Sequence, residues 1–236
     1  MTVKTAPIAE NLKQVRASIL AAAKQYSRDA NDIHLLAVSK TKPVSDILQA
    51  YENGHREFGE NYVQEGVEKI QQLHQYSDIV WHYIGPLQSN KSKFVAEYFD
   101  WIQSIDRFKI AKRLDEQRGA YQKPLNICIQ VNIDNEANKA GVLASEVFTL
   151  LNQISELKKI RCRGLMAIPK ATSDEAEQRN SFEKMQRLFI DCQKSFPEFD
   201  TLSMGMSNDM NLAIEYGSTM VRVGTGIFGA RDKPTA

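Results

Sequence analysis

Cysteine is scarce in this chain: three residues in 236, Cys128, Cys162 and Cys192, with no Cys-x-x-Cys spacing. Cysteines so few and so far apart argue against a disulfide framework or a zinc site and suit a reducing compartment. Charge of one sign is missing too, since 30 Lys and Arg face 29 Asp and Glu for a net of +1. That balance removes the electrostatic case for a nucleic-acid or anionic-membrane partner. No apolar run approaches the roughly 18 residues that a membrane helix needs. The polar residues around Glu10 argue against a secretory leader. Pro-, Gly- or Ser-rich linkers, low-complexity tracts and long internal repeats are absent as well. No cluster of His, Asp and Glu has metal-ligand spacing, so no metal is expected. These absences predict one soluble, cytoplasmic domain over residues 1–236, with an ordinary globular share of hydrophobic residues, 42%.

What is present is an alternation of two textures. Short apolar or β-branched runs fall at 33–40, 57–61, 81–87, 101–106, 125–133, 160–168, 201–207 and 220–228. Stretches of helical period lie between them, at 44–53, 62–74, 107–118, 143–157 and 174–194. Eight strands separated by helices predict a (β/α)8 TIM barrel, a fold of about 250 residues. An open doubly wound sheet is the alternative, less favoured because eight strands with short connections close readily. In the run at 125–133 all odd positions are apolar, and Asn126, Gln130 and Asn132 alternate with them. Its apolar face is expected on the helices and its amides inside the barrel. Ile8, Leu12, Val15, Ile19 and Ala23 mark one face of an extra N-terminal helix. That helix is expected to fill the gap after the eighth strand, where only seven residues follow Gly229.

Barrel chemistry collects at the C-terminal ends of the strands, and phosphate sites favour the loops after strands seven and eight. The seventh run leads through Ser207 into a short helix ending near Tyr216, which makes Ser207 a candidate helix cap beside an anion. The eighth carries Gly224, Thr225 and Gly226, whose backbone and hydroxyl donors suit a phosphate. Either segment alone is most simply a cap or a glycine turn, whereas the two adjacent form a phosphate cup. At the end of the first strand, period two puts Leu36, Val38 and Lys40 on one side. An inward Lys40 above an apolar floor has its charged form disfavoured and becomes a nucleophile toward an aldehyde. A lysine at a strand end otherwise snorkels into water.

Other strand-end residues read more plainly. Asn61 closes the second run and equally suits a helix cap. His82 reads as a hydrogen-bonded core histidine; His34, His55 and His74 as structural or surface residues. Arg222 shares parity with Gly224, and an inward guanidinium needs an acidic partner or a ligand acceptor. Lys42 and Lys139 lie in loops and are expected to be solvated.

Five segments together resemble one family. They are Ala37-Val38-Ser39-Lys40-Thr41-Lys42-Pro43, Phe58-Gly59-Glu60-Asn61-Tyr62-Val63-Gln64-Glu65 and the stretch from His82 to Lys91, with Ser203-Met204-Gly205-Met206-Ser207 and Val221-Arg222-Val223-Gly224-Thr225. Over essentially the whole chain they look like the pyridoxal phosphate homeostasis protein family, similar in fold to the N-terminal barrel of alanine racemase. The resemblance implies that Lys40 holds pyridoxal 5′-phosphate (PLP) as a Schiff base. It implies that Ser207, Gly224 and Thr225 bind the phosphate, that Arg222 faces the pyridine nitrogen and that Asn61 lies beside the ring. Gly226 departs from the alanine more usual in the family. Relative to alanine racemase, the β-rich second domain and its catalytic tyrosine are not expected here. A monomeric PLP carrier is therefore expected, with PLP-requiring apoenzymes as possible recipients and Lys139 as a possible second, transient aldehyde site. A low-activity racemase and a cofactor-free Schiff-base aldolase are the rivals.

Overall fold

Each apolar run becomes a short strand and each periodic stretch a helix. The computed structural model describes residues 7–230, so the ends of the expected 1–236 domain lie outside the described residues. The chain opens with α1 (Ile8–Gln25), then β1 (His34–Val38), α2 (Val44–Glu52), β2 (Glu57–Glu60), α3 (Val63–Gln72) and β3 (Val80–Tyr83). It continues with α4 (Ser92–Tyr98), β4 (Trp101–Ile105), α5 (Phe108–Gln117), β5 (Leu125–Val131), α6 (Val147–Ile154) and β6 (Ile160–Ala167). Last come α7 (Glu175–Ser195), β7 (Thr201–Ser203), α8 (Met210–Glu215), β8 (Met220–Val223) and the single turn α9 (Thr225–Phe228). All eight strands are parallel and close in sequence order, with β1 pairing β8. The structure is the expected TIM barrel.

Period two sorts each strand into two faces. Outward residues, among them Leu35, Phe58, Ile102, Ile127, Leu165 and Val221, join the helices in the apolar core. Inward residues are mixed. Leu36, Met166 and Met220 are apolar, whereas His82, Gln103, Ser203 and Arg222 are polar and buried. Contacts among Arg222, Ser203, Gln103 and His82 cross the barrel, since these residues come from β8, β7, β4 and β3. In β5 the odd positions do face the helices, and Asn126 and Gln130 do not join that core. Asn132 instead folds the loop after β5, bonding both the N–H and the carbonyl of Glu136.

Helix α1 buries the face that its stripe predicts and packs against α2, α8 and α9. Burying Leu12 and Ile19 contributes roughly 1.5–3 kcal/mol each, which seats the helix in the gap it was expected to fill. Several strands end sooner than their apolar runs, and one helix between strands was not expected at all. The run at 220–228 is a strand only to Val223; Gly224 leaves the strand and the next four residues make one helical turn. A short helix therefore does follow the last strand. Helix α4 is only seven residues long, too short for its period to stand out in the sequence.

Candidate functional site

Strand β1 delivers its chain to a tight turn, in which Lys42 N–H donates to the Ser39 carbonyl at 3.1 Å. Thr41 lies in that turn at φ 61°, a left-handed conformation that a β-branched residue adopts only under constraint. The constraint comes from below. Lys69 of α3, 5% exposed, donates to the Ser39 carbonyl (2.8 Å), Glu60 Oε1 (2.8 Å) and Glu65 Oε1 (2.6 Å). Glu65 Oε1 also accepts Thr41 N–H at 2.6 Å, and Ser39 Oγ donates to Glu60 Oε1 at 2.6 Å. Burial pushes the Glu60 carboxyl above its ordinary range while the Lys69 ammonium pulls it down; burial prevails. Lys40 is thus displayed on a turn clamped from both ends by a buried ionic cluster. Sequence reading missed that cluster, because Glu65 and Lys69 on a helical stretch read as a solvated face and Glu60 as the end of a strand run.

Lys40 opens into a cavity of about 560 Å³ at the C-terminal mouth of the barrel. Asn61, Ser207, Arg222, Gly224 and Thr225 line the same cavity, so all six residues singled out in the sequence meet there. Asn61 does not cap α3; Tyr62 holds that position without a side-chain bond. The Asn61 Oδ1 atom is buried and has no hydrogen-bond partner among the described residues. A Cβ on Gly85 would sit 2.1 Å from the Asn61 carbonyl oxygen, so only glycine lets the loop after β3 pass this close. The apolar wall adds Met166 and Ile168, which the sequence reading did not single out. Period two was the available signal, since it places both on the inward side of β6.

Ser207 is not the cap of α8. The helix begins at Met210 with Asp209 as its cap residue, and Asp209 Oδ1 accepts the N–H of Met206 at 2.5 Å instead. Ser207 is left exposed in the loop, across from the equally exposed Thr225. A Cβ placed on Gly226 would lie 3.5 Å from Ser207 Oγ and 2.9 Å from Val223 Cγ1, so the two loops do converge. The first N–H groups of α9 have no intrahelical acceptors, which leaves them as donors beside the two hydroxyls.

Arg222 is inward and 5% exposed, as its parity suggested, but its partners are not acidic. Its Nη1 donates to the Ser203 carbonyl (2.8 Å) and Ser203 Oγ (2.7 Å), and Nη2 to the Ala167 carbonyl (2.8 Å). Burial lowers its pKa to about 10. A guanidinium has five N–H donors; these three bonds leave Nε–H and one Nη2–H for an acceptor in the cavity. Lys139 is less free than a solvated loop lysine, being paired with Glu136 at 2.6 Å and bonded to the carbonyls of Ile168 and Pro169. His82 is fully buried with Nδ1 hydrogen-bonded to Gln103, the core histidine that was expected.

A lysine above an apolar wall, a hydroxyl cup and a buried arginine form one constellation, and comparison with known proteins bears on it. The model of the N-terminal domain of alanine racemase matches residues 6–232. The pyridoxal phosphate homeostasis protein of Pasteurella multocida is 55% identical over 228 residues, covering 95% of this chain and 98% of that protein. The chain belongs to the pyridoxal phosphate homeostasis protein family. The Escherichia coli K12 family member is 52% identical over 227 residues, covering 95% and 97% of the two chains. Among solved structures, PipY of Synechococcus elongatus with PLP bound has a TM-score of 0.81 and 36% identity, covering 94% of this chain and all of that one. Family membership and the closed barrel agree with the resemblance read from the five motifs.

Proposed function

We propose that this protein binds PLP at Lys40 and serves the homeostasis of that cofactor, holding it by a Schiff base without a dedicated catalysed reaction. The observation that carries the reading is the convergence of Lys40, Asn61, Ser207, Arg222, Gly224 and Thr225 on one cavity. Their separation in sequence makes that convergence a property of the barrel. The cavity suits the group in size, since small-molecule sites typically span about 300–1,000 Å³. Arg222 suits it in chemistry, because its two unused donors require an acceptor and a pyridine nitrogen is one. When bound, PLP supplies an aldehyde carbon that condenses with a primary amine, releasing water.

The residues of this chain then have distinct roles. Lys40 presents the amine from its clamped turn, and Asn61 borders the ring. Ser207 and Thr225 donate hydroxyl bonds to the phosphate, supported by the backbone N–H groups at Gly224 and beyond. Arg222 donates toward the ring nitrogen, and a permanent donor there keeps the nitrogen unprotonated and the ring a weak electron sink. Racemisation needs a second acid or base opposite the lysine. Besides Lys40 and Arg222, the ionisable groups that line the cavity are Lys170 and Asp209. We place this activity in a cytoplasmic monomer that passes PLP to apoenzymes through the open rim formed by Ser207 and Thr225.

Borohydride reduction of the PLP-incubated protein, followed by peptide mapping, tests the reading. A single pyridoxyl group on Lys40, lost in Lys40→Ala, is the expected result. Label spread over several exposed lysines would reject it. Stereospecific exchange of an amino-acid α-hydrogen, absent from Lys40→Ala, would replace the carrier reading with the racemase one.

A further inference from the structure

Beneath Arg222 a line of hydrogen bonds runs through the barrel interior, and each link has a direction. An arginine donates and never accepts, so Ser203 Oγ accepts from Arg222 Nη1 at 2.7 Å. Ser203 must then donate its one hydroxyl hydrogen onward, and Gln103 Oε1 receives it at 2.7 Å. With its oxygen so engaged, Gln103 turns its amide nitrogen to the other side. There Nε2 meets two acceptors, His82 Nδ1 at 3.0 Å and Met220 Sδ at 3.1 Å. His82 therefore accepts at Nδ1 and carries its proton on Nε2, which has no hydrogen-bond partner among the described residues but lies 3.6 Å from the Glu57 carboxylate. Glu57 Oε1 in turn lies 2.7 Å from Nδ1 of His34, at the far end of the barrel.

We propose that Gln103 and His82 are positioning residues for Arg222. Together they form a chain of one fixed polarity that seats the guanidinium under the cavity and requires His82 to be the neutral Nε2–H tautomer. The functional half of this inference rests on the PLP reading above; the tautomer does not. His82, Gln103 and Ser203 are each fully buried, so no water competes for these bonds. The groups around His82 are the Glu57 carboxylate of β2, His34 of β1, nearby His55, and Trp101 of β4 stacked on its ring at 5.2 Å. On the Trp101 ring also lies Arg163 of β6, itself paired with Asp200. Burial lowers the pKa of His82 to about 4, which agrees with a neutral ring.

The alternative polarity is disfavoured at both ends of the chain, since it would also aim the Nε2 lone pair of His82 at the Glu57 carboxylate 3.6 Å away. A proton on His82 Nδ1 would turn the Gln103 oxygen toward it and the Gln103 N–H toward Ser203. Ser203 would then face two donors, Arg222 and Gln103, and its own hydrogen would lose Gln103 as its acceptor. A buried polar hydrogen left unpaired costs about 1–3 kcal/mol. Protonation at His82 is in this way tied to how firmly Ser203 holds Arg222, across four strands.

Nitrogen-15 NMR of the imidazole and guanidinium groups in PLP-free protein tests the chain directly. In the wild type at pH 7, His82 is expected as neutral imidazole protonated on Nε2. Gln103→Glu keeps the acceptor for Ser203 and puts a second oxygen opposite Nδ1, so a proton should appear on Nδ1. Gln103→Leu removes the link altogether. Arg222 N–H exchange should then quicken about tenfold, and PLP should bind roughly tenfold more weakly, the scale of one lost hydrogen bond. A wild-type His82 protonated on Nδ1, or on both nitrogens, overturns the proposed polarity. Unchanged Arg222 exchange in Gln103→Leu overturns the positioning role. If Gln103→Leu does not fold, the wild-type and Gln103→Glu tautomers still decide the polarity. If the wild type binds no PLP, the functional reading falls, while the readouts on PLP-free protein still judge the chain.

Discussion

Lys69→Met is the sharpest test of how Lys40 is held. The ammonium of Lys69 makes three hydrogen bonds of 2.6–2.8 Å, and it is the cation between Glu60, which is fully buried, and Glu65. Methionine nearly matches its volume, so the change removes charge more than packing. Deleting one partner of a buried ion pair costs about 3–5 kcal/mol, because the other charge stays desolvated. For a chain of this size that is a loss of roughly 6–20 °C in Tm. The sign of the pH dependence follows from Glu60. Its folded pKa is raised, chiefly by burial, so its neutral form contributes stability below its unfolded pKa that is lost as pH rises through the folded value. Without Lys69 the folded value climbs further and the loss at neutral pH grows. Urea unfolding should therefore find a larger deficit for Lys69→Met at pH 8 than at pH 5. Adding Glu60→Gln should restore at least about 1 kcal/mol of it. A deficit below about 1 kcal/mol, or one independent of pH, would show that water reaches the cluster and that the turn is not clamped by it.

Three further outcomes follow from the same contacts. Gly85→Ala puts a Cβ 2.1 Å from the Asn61 carbonyl, so it should cost about 1–3 kcal/mol and weaken PLP binding, read by denaturation and fluorescence titration. Gly226→Ala meets Val223 at 2.9 Å while losing unfolded-state freedom, so these effects should nearly cancel; a stability change above about 1 kcal/mol would contradict the geometry. His34 has its pKa raised by its hydrogen bond to Glu57. That contribution is present below the unfolded pKa and lost as pH rises through the folded one. His34→Ala should thus destabilise more at pH 5.5 than at pH 8.5, by no more than about 1 kcal/mol given the exposure of the pair.

Local pattern alone determined a good deal about this protein. Eight apolar runs alternating with periodic stretches specify the strands and most helices, because side-chain period reflects the surface that each element buries. Parity along β1 put Lys40 on the same side as Leu36 and Val38, and the stripe on α1 named the face that packs. Hydroxyls and glycines after the last two strands marked the cup. Element ends were less legible: Ser207 reads as a cap, yet Asp209 occupies that position, and the last run bends into a turn at Gly224. Which residues meet across the barrel was decided by closure alone. Period two says that Gln103, Ser203 and Arg222 face inward, but not that Gln103 spans 100 residues to reach Ser203. Strand tilt and stagger fix those pairings, and no residue carries that information by itself. The same holds for Lys69, whose ordinary place is in water. Only the position of α3 beneath the turn after β1 buries it between two carboxylates and makes it part of the site.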